Sequence, residues 1–265
     1  MNQRYKRKNE LDKFYTNSDV SKQLLAEIDI SKYKLIIEPS AGDGSFSRQI
    51  HNCLALDIDP QHSSIIKQDF LTWNYTGNID PKDILFIGNP PFGKQGNLAF
   101  QFLVKCMSIG NTVAFILPPS FNKQSIINKI PFHFHITKCL KLKENSFCLE
   151  GNSYKVPSIF QVWERKETLR EIIKAEEPVG YQYVSKTEAN MTIRRVGFYA
   201  GKPSKDINKN EQSHYFIKTD HVDKIIELLS KHQWEHNNTV GPRSISKIEL
   251  NSLLNNFLRT SQSSI

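Results

Sequence analysis

Four short apolar runs constrain this chain most: Lys34–Glu38, Leu54–Asp59, Asp83–Gly88 and Thr112–Leu117, each closed by polar, small or proline residues. Runs that are apolar throughout, rather than alternating, are buried on both faces, as the strands of a parallel sheet are. Val20, Leu24, Leu25 and Ile28 share one helical face before the first run, with Ser18 or Asp19 available as a cap, and Leu98, Phe102, Leu103 and Cys106 share another after the third. Phe134–Leu142 and Ser158–Arg165 read as two more strands, joined by Lys143–Pro157 without a helical pattern, which favours antiparallel pairing. The rhythm predicts an α/β fold: a doubly wound, mostly parallel, Rossmann-like sheet of about seven strands.

Beyond Arg165 the pattern changes. Thr168–Glu177 reads as a short helix, Val179–Ser185 and Thr192–Tyr199 as strands, Gly201–Gln212 as an exposed loop, and Val222, Ile225, Ile226 and Leu229 as a helical stripe. With 265 residues in all, this divides into a core at 1–165 and a smaller α+β appendage at 166–265. The formal charge of +8, from 35 Lys and Arg against 27 Asp and Glu, favours a polyanionic partner. No apolar run approaches the roughly 20 residues of a membrane span, and the basic start carries no apolar targeting stretch. The expectation is a cytoplasmic protein, neither secreted nor membrane-bound. Cys53, Cys106, Cys139 and Cys148 form no Cys-x-x-Cys pair and read as buried, reduced thiols. His232 and His236 stand four apart, but no Glu follows His232 as the zinc-protease helix requires, so no metal site is expected.

The first run leads into Glu38-Pro39-Ser40-Ala41-Gly42-Asp43-Gly44-Ser45-Phe46, a small-residue loop expected to open a helix. A dinucleotide loop needs a third small residue and tolerates no acid beside the pyrophosphate. Here Glu38 and Asp43 suit a cationic ligand instead, and S-adenosylmethionine, with its ammonium and sulfonium, is one. The alternative is a strand-to-helix turn with capping acids. The second run ends in Asp57-Ile58-Asp59-Pro60. Asp57 is placed to accept from two ribose hydroxyls, whereas Asp59, beside a proline, can cap the next turn. Asp69 can accept from an adenine amine and Phe70 can cover a ring; the pair also reads as a surface acid beside a core aromatic.

Asn89-Pro90-Pro91-Phe92 follows the third run. The amine of a nucleobase is a poor nucleophile, because its lone pair is delocalised into the ring. Acceptors that draw on both amine hydrogens counter this, and the Asn89 side-chain oxygen and the Pro90 carbonyl can supply two, rigidly held by proline. Phe92 can stack on a displaced base.

On these motifs the chain resembles the class I S-adenosylmethionine-dependent methyltransferases that act on exocyclic amines of nucleic-acid bases, most closely the adenine-N6 DNA methyltransferases. The resemblance runs from Lys13 to Arg165. Lys13-Phe14-Tyr15-Thr16-Asn17 resembles the N-terminal cofactor motif, with Asn17 where the family has proline; Glu38 to Gly44 resembles the glycine-rich motif, and Asn89 to Phe92 the catalytic one. It implies cofactor contacts at Tyr15, Thr16, Glu38, Ser40, Ala41, Gly42, Asp57, Ile58, Asp69, Phe70 and Asn89, and a catalytic loop of Asn89, Pro90, Pro91 and Phe92. Glu144-Asn145-Ser146-Phe147 resembles the segment whose aromatic holds the flipped base, although Phe147 reads equally as a core residue.

The same motif serves guanine-N2 RNA methyltransferases and, with Tyr last, glutamine methyltransferases. An inert nucleic-acid-binding partner subunit is the alternative outside enzymes. Lys123, Lys129, Lys138, Lys141 and Lys143 fall in an acid-free stretch with Phe132, His133, Phe134 and His135, which reads either as a nucleic-acid contact, with Lys123 a substrate ligand, or as a solvated face. Arg194, Arg195 and Gly241–Lys247 are further candidate contacts. The expected partner is DNA, with target specificity that is short, relaxed or supplied by a partner subunit.

Overall fold

The computed structural model describes residues 15–143, 145–149, 152–234 and 243–262. Lys13, Phe14, Glu144, His236, Gly241 and Pro242 lie outside the described residues. The chain forms two compact units, one of residues up to Phe121 with Ile130–Glu171, the other of Asn122–Lys129 with Ile172–Ile265.

The first unit carries β1 (Tyr15–Thr16), α1 (Ser18–Leu25), β2 (Leu35–Glu38), β3 (Cys53–Asp57), β4 (Ile66–Lys67), β5 (Ile84–Gly88), α2 (Asn97–Met107), β6 (Thr112–Leu117), β7 (Phe134–Lys141), β8 (Phe147–Leu149), β9 (Asn152–Tyr154) and β10 (Ile159–Arg165). Seven of the strands form one sheet in the order β4-β3-β2-β5-β6-β10-β7. The apolar runs pair in parallel, with Ile36 opposite Cys53 and Leu85, and Leu85 opposite Thr112. β10 runs antiparallel to both β6 and β7. This is the Rossmann-like, mostly parallel sheet that the spacing predicts. Ile84, Leu85, Phe86 and Ile87 are completely buried, as consecutive residues must be where both sheet faces are covered. Outside the main sheet, β8 pairs antiparallel with β1 and β9.

The crossovers are less helical than expected. Between β2 and β3 there is a single 3₁₀ turn, Ser47–Gln49. Gly42 and Gly44 at positive φ, with Ser45 and Ser47, favour turns over a continuous helix. α1 is capped by Asn17, whose side-chain oxygen accepts from the Asp19 amide at 3.2 Å, rather than by Ser18 or Asp19. The Asn17 amide also donates to the Ser146 carbonyl at 3.0 Å. A proline there could make neither bond.

The expected helix over Thr168–Glu177 is absent. The Arg170 amide donates instead to the Phe132 carbonyl, and its guanidinium to the carbonyls of Phe134 and Ile130. These long-range bonds replace the i to i−4 ladder.

The second unit contains α3 (Gln124–Ile127), β11 (Gln182–Tyr183), β12 (Met191–Arg194), β13 (Pro203–Ser204), β14 (His214–Lys218), α4 (Val222–Lys231) and α5 (Lys247–Gln262). Its antiparallel sheet has the order β11-β14-β12-β13. Leu250, Leu254 and Leu258 repeat every four residues on α5 and pack with Met191, Ile193, Ile217, Ile225 and Leu229. Asn251 and Asn255 are buried on the same helix. The Asn251 oxygen accepts from the Tyr181 and Tyr183 hydroxyls, and its amide donates to the Glu176 carbonyl. Asn255 accepts from the Val179 amide and donates to the Glu177 carbonyl. The strand expected over Thr192–Tyr199 stops at Arg194, where the chain turns through Gly197 at φ +90°.

Phe86→Ala removes a fully buried ring that meets Phe70 edge-on at 5.9 Å. Urea unfolding followed by far-ultraviolet circular dichroism is expected to show a loss of about 3–5 kcal/mol in the first unit.

Candidate active site

In the main sheet the connections diverge between β2 and β5: β3 and β4 lie to one side of β2, β6 to the far side of β5. A crevice opens at the carboxyl ends of strands at such a switch point, and ligands of α/β folds bind there. The glycine-rich loop leaves the carboxyl end of β2, and Asn89-Pro90-Pro91-Phe92 leaves the carboxyl end of β5. The two lines of sequence reasoning thus meet at one place in the fold.

Two carboxylates shape the loop. One Asp57 oxygen accepts from the Gly42 amide at 2.7 Å, the other from the Asp59 amide at 2.8 Å. Glu38, 1% exposed, accepts from the Ser47 amide at 2.7 Å. Burial pushes the Glu38 carboxyl up to about 8 against the downward pull of its Ser47 hydrogen bonds, and the charge of Asp43 raises it further. Asp43 is also raised, mainly by burial, although the Ser45 amide donates to it at 3.1 Å. Gly42 sits at φ +55°, and a Cβ there would fall 2.8 Å from the Tyr15 ring, so the N-terminal motif packs directly on the glycine-rich one. Two hydroxyls in this neighbourhood, Thr16 Oγ1 and Ser47 Oγ, are buried without a hydrogen-bond partner among the described residues. Buried unpaired hydroxyls are costly and mark places where a ligand or water completes the bonding.

Gly88 ends β5 at φ +148°, with Glu38 Cγ 3.2 Å from where its Cβ would stand. A Cβ there would push the Glu38 side chain by a few tenths of an ångström and would stand on a backbone conformation that L-residues rarely adopt. The Ser40 hydroxyl donates to the Asn89 carbonyl at 3.3 Å, joining the glycine-rich loop to the Asn-Pro-Pro-Phe turn. Pro90 is buried. Pro91 and Phe92 are half-buried, and Phe92 packs against the core cluster containing Ile36, Leu85 and Ile87.

Several candidates stand differently from the expectation. Phe70 is 1% exposed, packed against Phe86, Phe102 and Trp73, so it has no free face to cover a ring. Asp69 accepts from the Leu71 amide at 2.9 Å and thereby caps its own turn. Phe147, 2% exposed, is a core residue with Phe160 and Val162. Lys123 belongs to the second unit, where its ammonium donates to the Ser244 carbonyl at 2.7 Å and pairs with Glu249 at 3.5 Å. Lys138 is paired with Glu27 at 2.7 Å, which further reduces the expected basic stretch. Ala41 is buried, whereas Ile58 is 53% exposed beside Asp57 and offers an apolar surface. Of the cysteines expected to be buried, only Cys106 is; Cys53 and Cys148 are half-buried and Cys139 is exposed, and burial pushes Cys53 up to about 12. Among the described residues no cluster of three or more His, Cys, Asp or Glu could hold a metal, and no helix is long and apolar enough to cross a membrane. Sequence reasoning missed Gly88 and Ser47; the glycine at a strand end next to Asn-Pro-Pro-Phe was the available signal.

No family model and no curated protein matches the sequence. Solved structures resemble it in fold. A chain assigned as the modification subunit of a type I restriction enzyme from Vibrio vulnificus YJ016 is 16% identical, with a TM-score of 0.45, and the match covers 60% of this chain and 46% of that one. A protein assigned as an RNA methyltransferase from Pyrococcus horikoshii is 18% identical, with a TM-score of 0.46 and coverage of 58% and 87%. The 23S rRNA methyltransferase ErmE is 14% identical, with a TM-score of 0.42 and coverage of 62% and 73%. The chain thus spans less than half of the first of these. At such scores nothing about chemistry follows from the likeness.

Because the folded state raises the Glu38 carboxyl from its ordinary 4.5 to about 8, it keeps a proton that the unfolded chain has already lost. This group therefore favours the fold below the unfolded value and disfavours it increasingly as pH rises toward 8. Glu38→Gln is expected to flatten the fall in urea midpoint between pH 5 and pH 8. Gly88→Ala is expected to destabilise the first unit by about 1–3 kcal/mol in the same assay, as an L-residue forced into a glycine conformation.

Proposed function

We propose that the chain is an S-adenosylmethionine-dependent methyltransferase acting on the exocyclic N6 amine of adenine in DNA. The observation that carries this reading is the meeting of the glycine-rich loop and Asn89-Pro90-Pro91-Phe92 at one switch point, joined through Ser40 and the Asn89 carbonyl. Residues 1–165 hold the cofactor and the reacting base, and residues 166–265 contact the target. Adenine in DNA is preferred to the other amide-like amines because the N-terminal Tyr15-Thr16 motif and the C-terminal appendage follow the adenine-DNA layout.

The residues present suit this cofactor. Asp57 would hold the ribose hydroxyls with its remaining lone pairs, Ile58 would lie along the adenine, and Asp43, with Glu38 once a bound cation favours its ionised form, would bring negative charge toward the ammonium. Thr16 Oγ1 and Ser47 Oγ, both without partners among the described residues, would find them. When bound, S-adenosylmethionine supplies an electrophilic methyl on a sulfonium that leaves with the bonding pair as the amine nitrogen attacks. Asn89 and the Pro90 carbonyl accept from the amine hydrogens, localise the lone pair on nitrogen, and hold it in line as it becomes tetrahedral. Phe92 stacks on the base taken out of its helix. The proton lost from nitrogen passes to solvent.

Incubation with labelled S-adenosylmethionine and, separately, duplex DNA, single-stranded DNA, ribosomal RNA and a release factor, followed by mass spectrometry of the digests, tests the assignment. N6-methyladenine in DNA is expected, faster on mismatched or unpaired sites, since unstacking the base costs a few kcal/mol. Methylguanine in RNA or methylglutamine would refute the DNA assignment. Absence of transfer to every acceptor would leave the inert-subunit reading.

Asn89→Ala is expected to lower turnover by about 10² or more, the effect of losing an oxyanion-type contact, with little change in cofactor affinity. Asp57→Ala is expected to weaken S-adenosylmethionine binding by about 1.5–3 kcal/mol in calorimetric titration. Asp57→Asn, which can still accept from Gly42, separates ligand contact from loop support. Near-normal turnover in the Asn89 variant would sink the amine mechanism.

A further inference from the structure

The turn after β12 displays two large aromatic side chains to solvent. Phe198 is 71% and Tyr199 58% exposed, and their rings meet edge to face at 5.1 Å. Isolated exposed apolar residues are ordinary, but two adjacent rings held in solvent call for a cause.

The turn itself is tightly built. Its ends are tied by Gly201 N to Arg194 O at 2.7 Å and Arg194 N to Lys202 O at 2.9 Å, and its interior by Ala200 N to Gly197 O at 3.0 Å. Gly197 and Gly201 take φ of +90° and +93°, which the turn requires. A second segment braces it: Gly197 N donates to Arg243 O at 2.7 Å, and Val196 and Ser244 form an antiparallel bridge. The rings therefore stand on a fixed backbone.

Cations surround them. The Arg243 guanidinium lies 5.1 Å from the Phe198 centroid, the Lys202 ammonium 5.5 Å from that of Tyr199, and Arg195 5.8 Å from Tyr215. None of the three is ion-paired with an acid among the described residues. From Arg194 to Lys205 the chain has four cations and no acid. A groove of about 370 Å³ opens beside Tyr199, walled by Trp234, Leu229 and Lys202.

We propose that this turn is a platform for an unpaired stretch of DNA, with bases stacking on Phe198 and Tyr199 and phosphates meeting Arg195, Lys202 and Arg243. Flat apolar faces interleaved with cations are what a single strand needs, because every base has a π-face and every linkage a charge. An acidic protein surface would match the cations and leave the rings unused. The proposal rests on the reading of the first unit as an enzyme acting on DNA: such an enzyme must hold the strand it unstacks.

The test uses the full chain and a fluorescent single-stranded DNA 20-mer, with the same sequence as duplex DNA, as single-stranded RNA, and anionic phosphatidylserine vesicles as comparison arms. By anisotropy, Phe198→Ala and Tyr199→Ala are each expected to weaken single-stranded DNA binding by about 5- to 150-fold, the range for losing one stacked base. Phe198→Trp is expected to restore it. Arg243→Ala and Arg195→Ala should each make the dependence of affinity on salt shallower. Where transfer is measurable, the KM for DNA should rise with the same variants while the cofactor Kd stays constant. Wild-type DNA affinity in both aromatic variants would overturn the platform even if Asn89→Ala abolishes transfer. Tighter binding to RNA than to DNA, or ring-dependent binding to vesicles, would overturn it too. Ring-dependent DNA binding without transfer to any acceptor would uphold the platform while the enzymatic reading fails.

Discussion

The glycine-rich loop holds its shape because two carboxylates at the ends of adjacent strands capture its amides, Asp57 at Gly42 and Glu38 at Ser47. These two bonds hold in place a loop that forms only a single 3₁₀ turn of its own. Other parts of the site lean on that conformation. Tyr15 packs against Gly42, Ser40 reaches the Asn89 carbonyl, and the Ser21 hydroxyl on α1 donates to the Ser45 carbonyl at 2.8 Å. A shift of the loop would disturb three elements that are distant in sequence.

This arrangement concentrates acidity where little water reaches. Glu38 is raised chiefly by burial and further by Asp43, and Cys53, beneath it on β3, is raised chiefly by burial and then by Glu38. Such a site disfavours its own negative charge and is relieved by a cation. The acid that made the loop unsuitable for a pyrophosphate is thus a source of local electrostatic tension, and Gly88, with no side chain, lets β5 approach it.

What was legible in the sequence followed from apolar continuity. The runs that became β2, β3, β5, β6, β7 and β10 were visible because each is buried on at least one face, and the Asn-Pro-Pro-Phe turn because proline marks a chain's direction. The two-residue β4, Ile66–Lys67, has both residues exposed and leaves no apolar run to detect. Phe70 and Phe147 show the limit for sites: an aromatic in a motif can serve a ligand or the core, and only burial separates the two. α5 went unseen although Ser246 and Glu249 form a capping box, the Ser246 amide donating to the Glu249 carboxylate at 2.8 Å and the Glu249 amide to the Ser246 hydroxyl at 3.2 Å. Its buried but polar Asn251 and Asn255 hid the stripe of Leu250, Leu254 and Leu258.

Those two asparagines also set an order of events. The backbone of Glu176, Glu177 and Val179 is bonded by side chains roughly 75 residues later in the chain, at Asn251 and Asn255. Closing a loop of that length has an entropic cost that grows slowly with its size, and local contacts cannot substitute for it. During synthesis, the segment that leads into β11 must therefore wait, bonded only to water, until α5 has left the ribosome. The second unit closes from its carboxyl side, and a chain cut short before Asn251 would carry the sheet without the helix that covers it.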